Sequence, residues 1–141
     1  MINLNQFKNK KILITGASNG LGFICAQYFS KLESKIYLCG KDKKKLEKRI
    51  NSLKKPNKHK IFSCDFNNKK NIKELTANII EEKFYDIIIH CAGGGLSLRE
   101  SLIDMNNLEK LFRVNLGAIV EINRTIINHL KKINKDCNIV H

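Results

Sequence analysis

The sequence predicts an α/β domain: a doubly wound parallel sheet with helices on both faces, a three-layer α/β/α arrangement. Three observations predict it. Short apolar runs alternate with apolar patterns of helical spacing along the chain. The runs are continuous rather than alternating, as strands covered on both faces require. A glycine-rich turn joins the first run to the first helical pattern, where doubly wound sheets carry their phosphate-binding turn. Right-handed crossovers leave few competing topologies.

Each element follows in order. Ile12-Leu13-Ile14-Thr15 is the first strand, and Leu21, Ile24, Cys25, Tyr28, Phe29 and Leu32 recur at helical spacing behind it. Ile36 to Cys39 is the second strand. Asp42 then suits the N-cap of a helix carrying Leu46, Ile50 and Leu53 on one face. After a polar loop around Pro56, Ile61 to Cys64 makes a third strand, and Ile72, Leu75, Thr76, Ile79 and Ile80 mark a third helix. Ile87-Ile88-Ile89 is the most strand-like run, broken off by Gly93-Gly94-Gly95. One helix is predicted through Leu102, Met105, Leu108, Leu111 and Phe112, and a separate one through Leu116, Ile119, Val120, Asn123, Ile126, Ile127 and Leu130. Cys137 to His141 reads as the start of a fifth strand. The expectation is one domain, residues 1–141, cut off just as that strand begins.

At 43% hydrophobic and 28% charged residues, the 141-residue chain can build a core. Its net charge of +13 raises the possibility of a basic nucleic-acid-binding domain. The excess is mostly lysine, spread through stretches such as Lys8 to Lys11 and Lys69 to Lys73, without interleaved aromatics for stacking bases. A solvated basic surface with no nucleic-acid partner is therefore expected. Cys25, Cys39, Cys64, Cys91 and Cys137 show neither C-x-x-C nor paired histidine spacing, which argues against a metal and for reduced cysteines in a cytoplasmic protein. No apolar run reaches membrane-spanning length, and Met1 to Lys11 lacks the apolar centre of a signal peptide.

The chemistry-bearing motif is Thr15-Gly16-Ala17-Ser18-Asn19-Gly20-Leu21-Gly22. Gly16 permits a sharp turn off the strand, Gly20 leaves a pyrophosphate room to approach the backbone, and Gly22 lets the helix pack closely. The helix N-terminus then offers free N–H groups and a positive dipole end to phosphates. Three residues separate the first two glycines and one separates the next pair. That T-G-x-x-x-G-x-G spacing resembles the short-chain dehydrogenase/reductases, whose dinucleotide-binding fold is Rossmann-like.

The resemblance continues in order along Lys11 to His141. Asp65 matches the family's acidic residue that binds the adenine amino group. His90-Cys91-Ala92-Gly93 matches the family's N-N-A-G in its last two residues, which let the cofactor's ribose lie against the backbone. His90 replaces an asparagine and reads as a hydrogen-bonded core residue rather than a catalytic base. Asn115, in Val114-Asn115-Leu116-Gly117, matches the asparagine that holds a water of the family's proton relay. The resemblance thus implies Asn115 as the catalytic residue, and Gly16, Ser18, Asn19, Gly20, Leu21, Gly22, Lys41, Asp65, Phe66, Ala92 and Gly93 as the cofactor-binding set. Gly40 stands where an acid would bind the ribose 2′-hydroxyl of NAD, and Lys41 follows with a charge suited to a 2′-phosphate. NADP is favoured, with NAD the alternative, although Asn19 stands where many NADP-dependent relatives place a basic residue.

The family's catalytic serine and Y-x-x-x-K pair lie beyond the fifth strand. Tyr28, Tyr37 and Tyr85 are the three tyrosines here, and none precedes a lysine by four residues in a matching helix. The implied function is an NAD(P)(H)-dependent oxidoreductase interconverting carbonyls and alcohols, 3-oxoacyl reductases included, present as an inactive N-terminal fragment. A homo-oligomer is implied for the full-length form, acting on a small-molecule substrate, without a membrane partner. The alternative is a stand-alone nucleotide-binding module that never had a catalytic half.

Overall fold

The computed structural model describes residues 3–99 and 101–141. Five strands, β1 (Lys11–Thr15), β2 (Lys35–Gly40), β3 (Lys60–Ser63), β4 (Ile87–His90) and β5 (Asn138–Val140), pair into one parallel sheet in the order β3-β2-β1-β4-β5. Five helices connect or follow them: α1 (Gly20–Lys31), α2 (Lys43–Asn51), α3 (Lys69–Glu81), α4 (Met105–Phe112) and α5 (Ala118–Ile133). The chain steps outward from β1 to β3, then returns to place β4 on the other side of β1. The order therefore reverses at β1, and in such sheets the crevice at that point receives the ligand.

The sheet divides two cores by its period of two. Ile12, Ile14, Ile36 and Leu38 pack on one face with Phe23 and Ala26 of α1, and with Leu46 of α2. Leu13, Tyr37, Cys39 and Ile88 point to the other face, against Ile72, Leu75 and Ile79 of α3 and Ile122, Ile126 and Leu130 of α5. Register keeps like with like: Ile12 lies beside Ile36 and Ile87, and Leu13 beside Tyr37 and Ile88. Each fully buried aliphatic side chain contributes about 1.5–3 kcal/mol of transfer free energy. β1 and β2 are buried along nearly their whole length, whereas the edge strands β3 and β5 are only partly covered.

The structure departs from the sequence reading at three places. Leu102 is not helical and is 85% exposed; α4 begins at Met105, where Asp104 caps it by accepting from the Asn107 N–H at 2.8 Å. The two helices predicted after the triple glycine are one continuous rod. Arg113–Gly117 forms a π-helical turn between α4 and α5, and Gly117 holds ordinary helical angles (φ −59°, ψ −42°). A glycine there breaks nothing because both flanks continue the helix. Leu53 lies past the end of α2 yet is buried in the core beside it.

Candidate functional site

The glycine turn is shaped by its neighbours. Gly16 has φ +67°, and a Cβ there would lie 2.6 Å from the Cys91 carbonyl oxygen. The ends of β1 and β4 can therefore approach only because residue 16 has no side chain. The Cys91 N–H donates to the Thr15 carbonyl (3.2 Å), the Ala92 N–H to Thr15 Oγ1 (3.2 Å), and the Ala17 N–H to the Cys39 carbonyl (3.0 Å). These bonds tie the turn to the ends of β4 and β2. Gly20 has φ +52°, and nothing lies within 4 Å of the position its Cβ would take. That open volume is the cradle a close-approaching pyrophosphate needs. A Cβ on Gly22 would meet the Gly16 carbonyl oxygen at 2.6 Å, so α1 packs directly on the turn.

The start of α1 differs from those of α2, α3 and α4. Asp42, Asn68 and Asp104 each cap their helix with a side-chain oxygen. Asn19, the α1 N-cap, makes no such bond. The first N–H groups of α1 thus have no side-chain cap, and with the positive end of the helix dipole they form the kind of end that suits an anion.

A cleft of about 450 Å³ opens here. All eleven residues that the sequence assigned to cofactor binding line it, from Gly16 to Gly93. Gly40, Cys64, Asn67, Cys91, Leu96 and Val114 complete the wall. Two larger hollows lie elsewhere, one along β4, β5 and α1, the other between α3 and α4. Neither includes the glycine turn's Gly16 or Gly20. Among the described residues no cluster of His, Cys, Asp and Glu could hold a metal.

Lys41 and Asp65 face each other across the cleft mouth, with Nζ 2.9 Å from Oδ2. Burial pushes the Asp65 pKa up, but the hydrogen bonds from Lys41 and the Asn67 N–H, with the charge of Lys41, outweigh it and leave it below the usual carboxylate range. Asp65 shapes the turn after β3 and does not cap α3; Asn68 does. At Gly40 an added Cβ would sit 3.5 Å from Ser18 Oγ and from Leu46, an ordinary contact. The acid is thus missing there by residue choice, not for want of space.

Asn115 stands on the π turn beside the cleft rather than in its wall. Its Oδ1 accepts from the Gly94 N–H (2.8 Å), and its Nδ2 donates to the carbonyls of Gly94 (3.0 Å) and Leu111 (2.8 Å). The same Oδ1 lies 2.7 Å from where a Gly93 Cβ would be. Asn115 therefore fixes the Gly93-Gly94 backbone, and only a glycine at 93 admits it. His90 is 7% exposed. One ring nitrogen meets Asn123 Oδ1 at 2.8 Å, the other lies 3.5 Å from Thr15 Oγ1, and the ring stacks on His141. Burial lowers its pKa, with the Asn123 bond opposing and His141 adding to the effect. It is a bonded interior group, as the sequence suggested.

Sequence reasoning missed Arg49. Its Nε donates to the Ser18 carbonyl (3.0 Å), its Nη2 to Asn19 Oδ1 (3.1 Å), and its guanidinium lies 4.3 Å from the Phe23 ring centroid. The available signal was its place three residues after the buried Leu46 of α2, on the helix flank nearest the core. Tyr37-Leu38-Cys39-Gly40-Lys41 spells Y-x-x-x-K, but its first four residues lie on β2 and Lys41 follows the strand's last residue. Extended chain puts the two residues about 13 Å apart, and Tyr37 is buried and donates to Glu82.

Sheet order, glycine turn and cleft together define a dinucleotide-binding α/β protein. The chain matches the short chain dehydrogenase family over residues 10–141, and it belongs to that family. Among curated relatives, a 3-oxoacyl-[acyl-carrier-protein] reductase of Rickettsia typhi is 31% identical over 125 residues, covering 89% of this chain and 50% of its own. Sorbose reductase of Schizosaccharomyces pombe is 28% identical over 143 residues, covering 96% and 55%. Among solved structures, a short chain dehydrogenase of Bacillus anthracis superposes with TM-score 0.82 at 24% identity, over 94% of this chain and 56% of that one. L-Sorbose reductase of Gluconobacter frateurii, complexed with NADPH and L-sorbose, gives 0.78 at 19% identity, over 89% and 49%. The chain spans about half the length of the curated relatives it matches. No helix among the described residues is long and apolar enough to cross a membrane.

Proposed function

We propose that this chain is the NADP(H)-binding part of a short-chain oxidoreductase that interconverts a carbonyl and an alcohol. The observation that carries the reading is the cleft itself. It joins an uncapped helix N-terminus, the open volume at Gly20 and all eleven assigned residues in one place. The residues fit a dinucleotide. The turn from Gly16 to Gly22 receives the pyrophosphate, Asp65 the adenine amino group, Ala92 and Gly93 the ribose, and Lys41 the 2′-phosphate. The bound cofactor supplies hydride.

The chain's own contribution is to bind and orient. Asn115 holds the Gly93-Gly94 backbone against the cleft, and the second lone pair of Oδ1 is left to accept from a relay water. The substrate is a small carbonyl or alcohol. The complete protein is a homo-oligomer, consistent with the exposed Met105, Leu108 and Phe112 of α4.

Titration of cofactor fluorescence tests the proposal. NADPH is expected to bind saturably and more tightly than NADH. Lys41→Asp should narrow that preference by about 1 kcal/mol, the upper range for an exposed charge contact. Binding of neither dinucleotide would overturn the reading.

A further inference from the structure

The geometry points to Arg49 as a positioning residue that sets selectivity for the 2′-phosphate, acting through Asn19. The inference rests on the dinucleotide reading above and concerns which groups read its ribose end.

Lys41, the cation nearest that end by sequence, shares its charge with Asp65 at 2.9 Å. Arg49 is different. Among the described residues no carboxylate lies within ion-pair distance of it. Its guanidinium is held on three sides, by the Ser18 carbonyl, by Asn19 Oδ1 and by the Phe23 ring. A guanidinium can only donate, so its bond to Asn19 selects which end of that amide it meets. Oδ1 is taken, and Nδ2, a two-proton donor, is left without a protein partner among the described residues. Asn19 itself lines the cleft. The pair thus leaves an N–H₂ donor, backed by a charge with no carboxylate partner among the described residues, on a residue that shares the cleft wall with Ser18, Gly40 and Lys41. Arg49 from α2 supplies from behind the charge that a basic residue at position 19 would supply directly.

A matched pair of probes isolates the 2′-phosphate: 2′,5′-ADP and 5′-AMP, titrated calorimetrically into the wild-type chain and its variants. Wild type is expected to bind 2′,5′-ADP more tightly. Arg49→Gln should weaken 2′,5′-ADP by about tenfold, the size of one charge-assisted hydrogen bond, while 5′-AMP stays within about a factor of two. Arg49→Lys, which keeps the charge but loses the two-point grip, should fall between. Adding Asn19→Lys to Arg49→Gln should restore the 2′,5′-ADP preference. A melting curve for each variant separates misfolding from lost selectivity. If Arg49→Gln lowers both affinities equally or neither, the inference is overturned and the dinucleotide reading stands. If wild type binds neither probe nor NADPH, both are overturned.

Discussion

His59 shows what a single buried polar side chain does for this sheet. Its Nδ1 accepts from the Ile36 N–H at 3.0 Å, and its Nε2 donates to the Lys54 carbonyl at 2.9 Å. That pattern requires the neutral ring, because a protonated ring has no acceptor. Burial lowers the His59 pKa first of all; the Lys54 carbonyl opposes this and the charge of Lys58 reinforces it. The His90 pKa is lowered as well. A histidine with a depressed folded-state pKa binds its proton more readily when unfolded. Its stabilising contribution is therefore complete above the unfolded value near 6.5 and lost as pH falls below it. Thermal melts should show stability declining from pH 7 to pH 5. His59→Asn, which keeps an acceptor for the Ile36 N–H, should flatten that decline. An identical pH profile in the variant would show that the acid sensitivity lies elsewhere. None of this was legible in the sequence, where His59 is one residue in a lysine-rich loop. Local spacing did reveal the glycine turn, since Gly16, Gly20 and Gly22 act within one turn of chain. The Lys41–Asp65 pair and the Arg49 clamp join residues 24 and 30 positions apart, and no period in the sequence encodes them.

Between elements, the π turn and the triple-glycine loop after β4 form one unit. Asn115 reaches the loop because the π turn aims it at Gly93 and Gly94, and a single wide turn inside a helix is a recurrent feature of functional sites. Gly93→Ala puts a methyl group 2.7 Å from Asn115 Oδ1, so the asparagine must leave its bonds to Gly94. The expected cost is about 1–3 kcal/mol, the range for overpacking a fitted contact, with weaker NADPH binding. In the Asn115→Ala background the methyl group meets no such oxygen. The double variant should then be more stable than the sum of the two single changes predicts. Strict additivity in denaturant titrations would show that the two residues act independently. Helical periodicity found the apolar faces of α4 and α5 but not their continuity. The apolar pattern was split between Phe112 and Leu116, where the π turn now joins the two helices, and one Asp at position 104 decided where the rod starts against the apolar Leu102 ahead of it.

At the scale of the molecule, the reaction proposed above sets a requirement on the groups around the cleft. Carbonyl reduction needs a hydride and a proton delivered to the developing alkoxide by a positioned acid. The tyrosines of this sequence do not supply that acid at the cleft. Tyr37 and Tyr85 lie in the core under the sheet, Tyr37 bonded to Glu82 and Tyr85 with its hydroxyl unpartnered among the described residues. Burial raises the pKa of both, with Glu82 adding to it in each case, the opposite of what a general acid working near neutrality requires. Tyr28 is half-exposed on α1 and outside the cleft wall. His90 has its ring nitrogens turned to Asn123 and Thr15, and Asn115 is held by Gly94 and Leu111. A missing positioned acid costs roughly 10²–10⁴-fold, and a missing donor to the carbonyl oxygen about 10²–10³-fold more. The purified 141-residue chain should therefore bind NADPH yet oxidise none above background with ketones, aldehydes, sugars or 3-oxoacyl thioesters. The measurement is absorbance loss of NADPH beside a binding titration on the same sample. Turnover that survives Asn115→Ala but vanishes with His90→Gln would make His90 the acid. Turnover lost with Asn115→Ala would give that residue a direct part in proton transfer.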